Sequence, residues 1–514
     1  IESYAQLAIT KYKMGHTEQA EEIIDEALDK CDKLDNEQGR AKLLESMGLL
    51  YIHSYRYKKA LKYFQKALHI YVKYEDQLAE SKTLNNLSMC HNNLNEPDKG
   101  IEVLEKSIYL KERLEKDNLL GSSLAQLGNA NKNKLDELVK KNYKAGRLNF
   151  TTDLSYSIKK SNLIFICVGT PTKKKSYSAD LSQIYSVVNT IRKNINKFKI
   201  IVTKSTVPVT TGDKIEKLIS HKKSKKIFSI VSNPEFMREG EAIRDFMYPD
   251  RIIVGTDNPK VNIILKTLYE PLIKRGGKYL NTSRRAAELI KYSSNSFLAT
   301  KISFINEISN LCEKVNVDIQ DVSIGMGLDS RIGSRFLRAG PGYGGSCFPK
   351  DTRALLGTAK KFNTKLSIIN SAVKSNEKRH DILFAKIKKI LKDNISKKKI
   401  TFLGVTFKPN TDDMRESPAL KLIPKLYKQG AKISYYDPSG LKSVFKIYKN
   451  VNFFNKISSA CKNSDLLILH TEWNEFRNLN FKKLVGHNKF SLYDMRNIYS
   501  QKKMTNSGIN YFRI

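Results

Sequence analysis

One cysteine stands out among the residues that could do chemistry. Cys347 lies in Gly340-Pro-Gly-Tyr-Gly-Gly-Ser-Cys-Phe-Pro-Lys-Asp351. Glycines let a backbone approach a ligand closely, and a thiol presented there can serve as a nucleophile. Lys350 places a cation beside it, and Asp351 could orient water or act as a base. A lone cysteine is more often a small buried apolar side chain; the glycine-rich, charged setting points to function. Lys291 and Asn295 are four residues apart in a helical pattern and share one face. An ammonium and an amide pointing together are a donor pair for a developing oxyanion, although such pairs usually lie on solvated faces. Glu235 and Glu239, in Asn233-Pro-Glu-Phe-Met-Arg-Glu239, follow an apolar run read as a buried strand. Ligands of open α/β sheets gather at that end of the strands.

These residues need elements to hold them. From Asn162 onward, short β-rich runs alternate with helical stretches: Leu163–Val168, Lys199–Thr203, Ile227–Val231 and Arg251–Val254, with Asp180–Lys193 as a helix. That alternation predicts a doubly wound parallel sheet. A long helix is expected from Ser283 to about Val315. After a Lys-rich linker near 391–399 come strands Ile400–Phe407, Lys432–Tyr436, Asp465–His470 and Ser491–Asp494. A helix over Ser417–Gln429 has Pro near its start and Gly430 past its end. Gly340, Gly342 and Gly345 fit G-x-G-x-x-G, but no strand precedes them, so they are not read as a phosphate-binding turn.

The first quarter of the chain differs. Ala8, Gly48, Ser88 and Gly128 recur every 40 residues. Ala20, Ala60 and Gly100 follow, then Ile24, Phe64 and Leu104, then Ala27, Ala67 and Ser107. Small residues at matched helical positions let helices approach, and the large residue fills the groove between them. The pattern resembles the tetratricopeptide repeat, with a period longer than the usual ~34 residues. Such arrays form concave superhelices that commonly hold peptides. The fourth repeat is expected to open at Leu124–Gly128 and to stop at a polar break, Asn129–Lys134, with no second helix. This break is also read as an exposed linker.

Charge follows the same division. Residues 1–130 hold 18 basic and 21 acidic side chains, while the whole chain carries a net charge of +38. The Lys runs 173–175, 222–226 and 397–399 fall where loops belong and carry no interleaved aromatics, so nucleic-acid binding is not expected. A basic field suits anionic small ligands. No apolar run approaches the ~20 residues of a membrane span. The six cysteines show no metal spacing and favour a reducing, cytoplasmic setting. No metal is expected.

Together these motifs resemble the UDP-glucose/GDP-mannose dehydrogenase family, and within it the UDP-glucose 6-dehydrogenases. The resemblance rests on Val168-Gly-Thr-Pro-Thr172, Ser205-Thr-Val-Pro208, Asn233-Pro-Glu-Phe236 with Pro249-Asp-Arg251, the Lys291/Asn295 helix, Gly344-Gly-Ser-Cys-Phe348, and Phe407-Lys-Pro409 with Arg415-Glu-Ser417. It implies oxidation of UDP-glucose to UDP-glucuronate by NAD through a Cys347 thiohemiacetal and thioester. Glu235 and Asp351 would handle protons and water; Lys291 and Asn295 would stabilise oxyanions. Thr170, Thr172, Ser205, Thr206, Glu239, Lys350 and Arg415 would touch NAD. The segment Glu235, Phe236, Met237, Arg238 and Glu239 would hold the nucleotide sugar. So would Lys291, Asn295, Phe336, Leu337, Arg338, Ala339, Gly340, Gly344 and Lys408, with Arg331 and Arg496 reaching in from a neighbouring or C-terminal element. A homodimer through the central helix is expected.

The expected architecture is α plus α/β. It comprises a tetratricopeptide-like solenoid over 1–130, an incomplete Rossmann-like NAD-binding sheet over 131–282, a central helical domain over 283–390 and a C-terminal Rossmann-like UDP-binding domain over 391–514. The sheet is incomplete because the family opens with a strand, a Gly-rich turn and a helix, and repeats stand in their place. That departure leaves one alternative, a repeat scaffold fused to an inactive dehydrogenase remnant; the similarity of the GDP-mannose branch leaves another, a dehydrogenase for GDP-mannose or another nucleotide sugar.

Overall fold

The computed structural model describes residues 1–514 except 1–3, 5, 6, 9, 12–16, 55, 95, 115–134, 174–177 and 222–226. The described chain divides into two compact units, Ile1–Phe150 and Thr151–Ile514. Gly128, the opening of a fourth repeat, the break at 129–134 and most of the first two Lys runs lie outside the described residues. A helix over 135–144 belongs to the first unit and departs from the expectation of none. Its apolar residues Leu135, Leu138 and Tyr143 are exposed, so it has no buried stripe for a periodicity reading to detect.

In the first unit, five helices of 17 residues each follow one another: α1 (Thr17–Lys33), α2 (Glu37–His53), α3 (Tyr57–Lys73), α4 (Gln77–Asn93) and α5 (Pro97–Arg113). The 40-residue period has a packing cause. Ile24, Phe64 and Leu104 are fully buried. A Cβ on Gly48 would meet the Phe64 ring at 2.7 Å, so only glycine lets these two helices close. The caps repeat as well. Asn36 accepts from Gly39 N–H and Asp76, 40 residues on, from Ala79 N–H.

The second unit holds two sheets. The first comprises β1 (Leu163–Ile166), β2 (Lys199–Thr203), β3 (Phe228–Ser232), β4 (Arg251–Gly255) and β5 (Lys278–Thr282), in that spatial order. Its pairings are parallel except β3–β4, which meet antiparallel at Ser232 and Gly255. The second sheet contains β6 (Lys399–Leu403), β7 (Lys432–Tyr436), β8 (Val451–Phe453), β9 (Leu466–Leu469), β10 (Ser491–Asp494) and β11 (Asn510–Arg513). Its order, β11-β10-β9-β6-β7-β8, is wholly parallel. The order reverses between β9 and β6, the place where ligands of such sheets bind. β6 is shorter than expected because Gly404 turns the chain at φ +84°, and Thr471 packs where its Cβ would stand.

α6 (Thr211–Ser220) packs on β3 of the first sheet; between the two sheets in the chain come the 31-residue α7 (Arg284–Lys314), α8 (Phe348–Lys361) and α9 (Ser367–Ile390). Ser283 caps α7 by accepting from Ala286 N–H. The buried face of α7 carries Glu288, Lys291, Asn295, Ser303 and Asn306. So many polar groups on one buried stripe mark it as the spine of a site, since each must find a partner.

Candidate active site

Cys347 is the N-cap residue of α8 and is half-buried. Pro349 sits in the first turn, where its missing N–H costs nothing. Gly345 takes φ +78°, and a Cβ there would meet the Phe407 ring at 2.7 Å. Gly344 lies against the Glu416 carbonyl, 2.6 Å from where a Cβ would stand. These contacts press the glycine segment onto the loop after β6.

One helical turn beyond the thiol, the buried Asp351 is held from both sides. Asn295 Nδ2 donates to its Oδ2 at 2.6 Å and Lys350 Nζ to its Oδ1 at 2.7 Å. Lys350 therefore serves Asp351. Arg415 and Lys408 are further cations of this region. Hydrogen bonds to Asp413 chiefly hold Arg415 up, and Cys347 adds to the effect. Burial pushes Lys408 down, opposed by Glu241, Glu239 and Cys347.

Lys291, one turn before Asn295, donates to Glu235 Oε1 at 3.4 Å and lies 5.1 Å over the Phe236 ring. Arg251 covers that ring at 4.0 Å. Glu235 Oε2 also accepts from Met237 N–H at 2.5 Å. Glu239 faces Arg415 at 3.7 Å, and its carbonyl accepts from Lys408 at 2.6 Å. Burial, and then the neighbouring Asp413, push the Glu239 carboxyl up. Arg496 donates to the carbonyls of His470 and Phe407 and packs against Gly340. Leu337 and Ala339 are buried; Phe336 takes φ +67° and stacks edge-on to Phe348.

At the ends of β1 and β2, Thr170 Oγ1 donates to the Thr206 carbonyl and Ser205 Oγ to the Val168 carbonyl. Other expected residues have partners of their own or face solvent. Thr172 pairs with Ala179 in an isolated bridge. Arg238 is tied to Asp245 and Glu241. Arg331 is exposed and paired with Asp329, and Arg338 is also exposed.

Two residues escaped the sequence reading. Lys204 directly precedes the Ser-Thr-Val-Pro motif, a position that could have signalled it. It donates to Asn233 Oδ1 at 3.1 Å and to Tyr269 OH at 3.4 Å. Burial brings its ammonium down to about 8, with Glu235 opposing and Lys291 reinforcing. Glu288 precedes Lys291 by one turn. It accepts from the N–H groups of Thr210 (2.8 Å) and Gly212 (2.7 Å) and from Ser232 Oγ (3.2 Å). It thereby ties α7 to the start of α6 and the end of β3. Burial pushes its carboxyl up to about 7, against those hydrogen bonds.

A carboxyl raised on folding costs stability as it ionises. The wild type is expected to lose stability between about pH 4.5 and 7, by up to ~3 kcal/mol, and to stay low above that. Glu288→Gln, which cannot ionise, should be weaker at low pH because its amide meets a backbone N–H. It should lack that pH slope. Thermal unfolding from pH 5 to 8 measures both effects; an unchanged slope would assign it elsewhere.

Two Rossmann-like sheets flank a helical spine, with a glycine segment that carries a free thiol packed on the loop after β6; this is the build of a nucleotide-sugar dehydrogenase. The sequence matches the NAD-binding domain of the UDP-glucose/GDP-mannose dehydrogenase family over residues 129–273, its central domain over 285–378 and its UDP-binding domain over 401–501. The chain belongs to that family. Residues 81–113 match the tetratricopeptide repeat. UDP-glucose 6-dehydrogenase of Rhizobium meliloti is 45% identical over 383 residues, 74% of this chain and 88% of the relative. The Rickettsia felis enzyme of the same name is 43% identical over 385 residues, 74% of this chain and 85% of the relative. Among solved structures, a UDP-glucose dehydrogenase from Pyrobaculum islandicum aligns with a TM-score of 0.65 at 29% identity, covering 76% of this chain and 85% of that one.

NAD is the cofactor of this family. Its pyrophosphate would need a strand, a Gly-rich turn and a helix before β1. Among the described residues none stands there: β1 is the edge of its sheet. The loops at Thr170 and Ser205 suit one end of a dinucleotide. The described residues do not complete its cradle.

Proposed function

We propose that the second unit oxidises UDP-glucose at C6, in two steps, to UDP-glucuronate. The observation that carries this reading is the thiol at the start of α8, one turn from an Asp351 held by Asn295 and Lys350. The first oxidation turns the primary alcohol into an aldehyde, with Glu235 handling the proton. Cys347 then attacks the aldehyde carbon as thiolate. The oxygen of the resulting thiohemiacetal carries negative charge, which Lys291 and Asn295 stabilise. Loss of a second hydride gives a thioester. Water directed by Asp351 hydrolyses it, releasing the carboxylate and regenerating the thiol. Each hydride needs an acceptor, NAD⁺ in this family.

Several further parts belong to this reading. Glu235–Glu239, Phe336–Gly340, Gly344, Lys408 and Arg496 hold the nucleotide sugar. Thr170, Thr172, Ser205, Thr206, Glu239, Lys350 and Arg415 face the dinucleotide. The exposed stripe Phe297, Phe304 and Leu311, seven residues apart on α7, supports a homodimer through the central helix. Arg331 would then act only on a neighbour. The repeats hold a peptide or protein partner. Among the described residues no helix is long and apolar enough to cross a membrane, and all six cysteines are free; we place the protein in the cytoplasm. The missing cradle favours a second reading, a repeat scaffold on an inactive remnant. Incubating the full chain with UDP-glucose and NAD⁺ and assaying UDP-glucuronate separates the two. Calorimetric binding of UDP-glucose with no acid formed would favour the scaffold.

A further inference from the structure

Asn376 and Arg379 lie one turn apart on α9 and touch neither Cys347 nor the Lys291 cluster. Both reach the glycine segment that leads into the thiol. Asn376 pairs with the peptide of Tyr343 from both sides: its Oδ1 accepts from Tyr343 N–H at 2.9 Å and its Nδ2 donates to Tyr343 O at 3.1 Å. Gly342 beside it takes φ +119°, and a Cβ there would stand 2.8 Å from Asn376 Oδ1. Arg379, 3% exposed, donates through Nε to the Gly340 carbonyl at 3.1 Å. The Gly340 N–H donates to Asn306 Oδ1 at 2.8 Å. Both polar groups of Gly340 are therefore fixed by side chains of α7 and α9.

The partners of Arg379 are all neutral. Its remaining donors go to the Asn306 carbonyl, Asn310 Oδ1 and Ser309 Oγ. Among the described residues no carboxylate forms an ion pair with it; the nearby Glu313 is taken by Lys386 at 2.8 Å. Arg496, on the other side of Gly340, likewise donates to two backbone carbonyls, and its Nη1 lies 3.4 Å from a Cβ built there. Two guanidinium groups thus bracket one glycine without an ion-pair partner among the described residues; Glu313 acts on Arg379, and Glu472 and Asp494 on Arg496, only at longer range. A buried charge without a close ion-pair partner is costly to hold. That cost is offset when an anion arrives, and more fully when it carries more charge.

We infer that Asn376 and Arg379 are positioning residues for the 340–347 segment, and that the Arg379 charge makes this segment discriminate nucleoside diphosphates from monophosphates. This rests on the nucleotide-sugar reading of the site. Asn376 supplies shape alone; Arg379 supplies shape and field.

Calorimetry of the full chain with UDP and with UMP at fixed ionic strength tests it, with circular dichroism confirming the fold of each variant. The wild type should bind UDP more tightly than UMP. Arg379→Met should weaken UDP by at least about tenfold and shrink the UDP-to-UMP ratio. Arg379→Lys, which keeps the charge and loses the fork, should weaken both ligands and preserve the ratio. Asn376→Leu should also weaken both equally and change the rate at which iodoacetamide alkylates Cys347, followed by site-resolved mass spectrometry. If Arg379→Met fails to fold, the lysine and leucine variants still decide: unchanged affinities and alkylation overturn the inference. A folded Arg379→Met with an unchanged ratio overturns the field. A wild type that binds neither nucleotide overturns the nucleotide-sugar reading and this inference with it; a wild type that binds while every variant matches it overturns this inference alone.

Discussion

The Cys347→Ser variant is expected to be a folded protein that binds UDP-glucose and forms no UDP-glucuronate, a loss of about 10³-fold or more. The exchange nearly conserves volume, and Cys347 is only half-buried at a helix start, so folding should tolerate it. Chemistry should not. A serine hydroxyl is not ionised near neutral pH and needs a general base to attack. No histidine offers one in the described site. His470 is fully buried behind Arg496, and burial brings it down to about 3. Its Nδ1 meets Thr471 Oγ1, which donates onward to the Thr406 carbonyl, so the imidazole stays neutral and inward. Any ester that formed on serine would also hydrolyse more slowly than a thioester. The measurement need not depend on the oxidation. The C6 aldehyde of UDP-glucose should add to the wild-type thiol. Carbon-13 NMR of the C6-labelled aldehyde should show a thiohemiacetal carbon with the wild type, and only the free aldehyde and its hydrate with the serine variant. Near-normal acid formation, or a thiohemiacetal carbon that persists in the serine variant, would remove Cys347 from the chemistry.

Much of this site was legible in the sequence because its residues lie in short runs whose local geometry is fixed. Lys291 and Asn295 are a helical turn apart whatever surrounds them, and Cys347 to Asp351 spans one turn of α8. The 40-residue period was legible for the same reason: Ile24, Phe64 and Leu104 recur as fully buried residues, and Gly48 lets Phe64 close against it. What could not be read is pairing across the chain. Lys350 lies three residues from Cys347 in sequence, yet its ammonium turns to Asp351, while Lys408 reaches back some 170 residues to the Glu239 carbonyl. Glu288 looked like one more acidic residue on a helix; only the meeting of α7 with α6 gives it two backbone N–H groups to accept from. The missed strands β5, β8 and β11 lie at or next to sheet edges, where exposed residues such as Lys278, Leu280 and Asn281 blur the apolar run expected of a buried strand.

The other large effect concerns the two ligands taken separately. Calorimetry on the full chain is expected to show UDP-glucose binding, with NAD⁺ binding about two orders of magnitude weaker than in a relative that carries the Gly-rich turn. Five of the residues proposed for the nucleotide sugar, Lys291, Phe236, Gly340, Lys408 and Arg496, lie in one compact unit and are fixed by hydrogen bonds or packing. For the dinucleotide, the described residues hold no strand–turn–helix cradle. A pyrophosphate takes its main hydrogen bonds from N–H groups at a helix N-terminus following a glycine turn. Each such bond to a charged group contributes ~1.5–3 kcal/mol, so losing two costs at least about two orders of magnitude in Kd. β1, moreover, ends the sheet with one edge unpaired, and Phe165 on it is partly exposed. The loops at Thr170 and Ser205 remain well formed, so what survives should be the weak affinity of one end of the molecule. Placing a strand–Gly-rich turn–helix segment ahead of residue 135 should restore NAD⁺ affinity and leave UDP-glucose affinity unchanged. Tight NAD⁺ binding by the chain without that segment would show that another part of it supplies the cradle, and NAD⁺ affinity that stays weak with the segment in place would show that β1 does not accept a neighbouring strand.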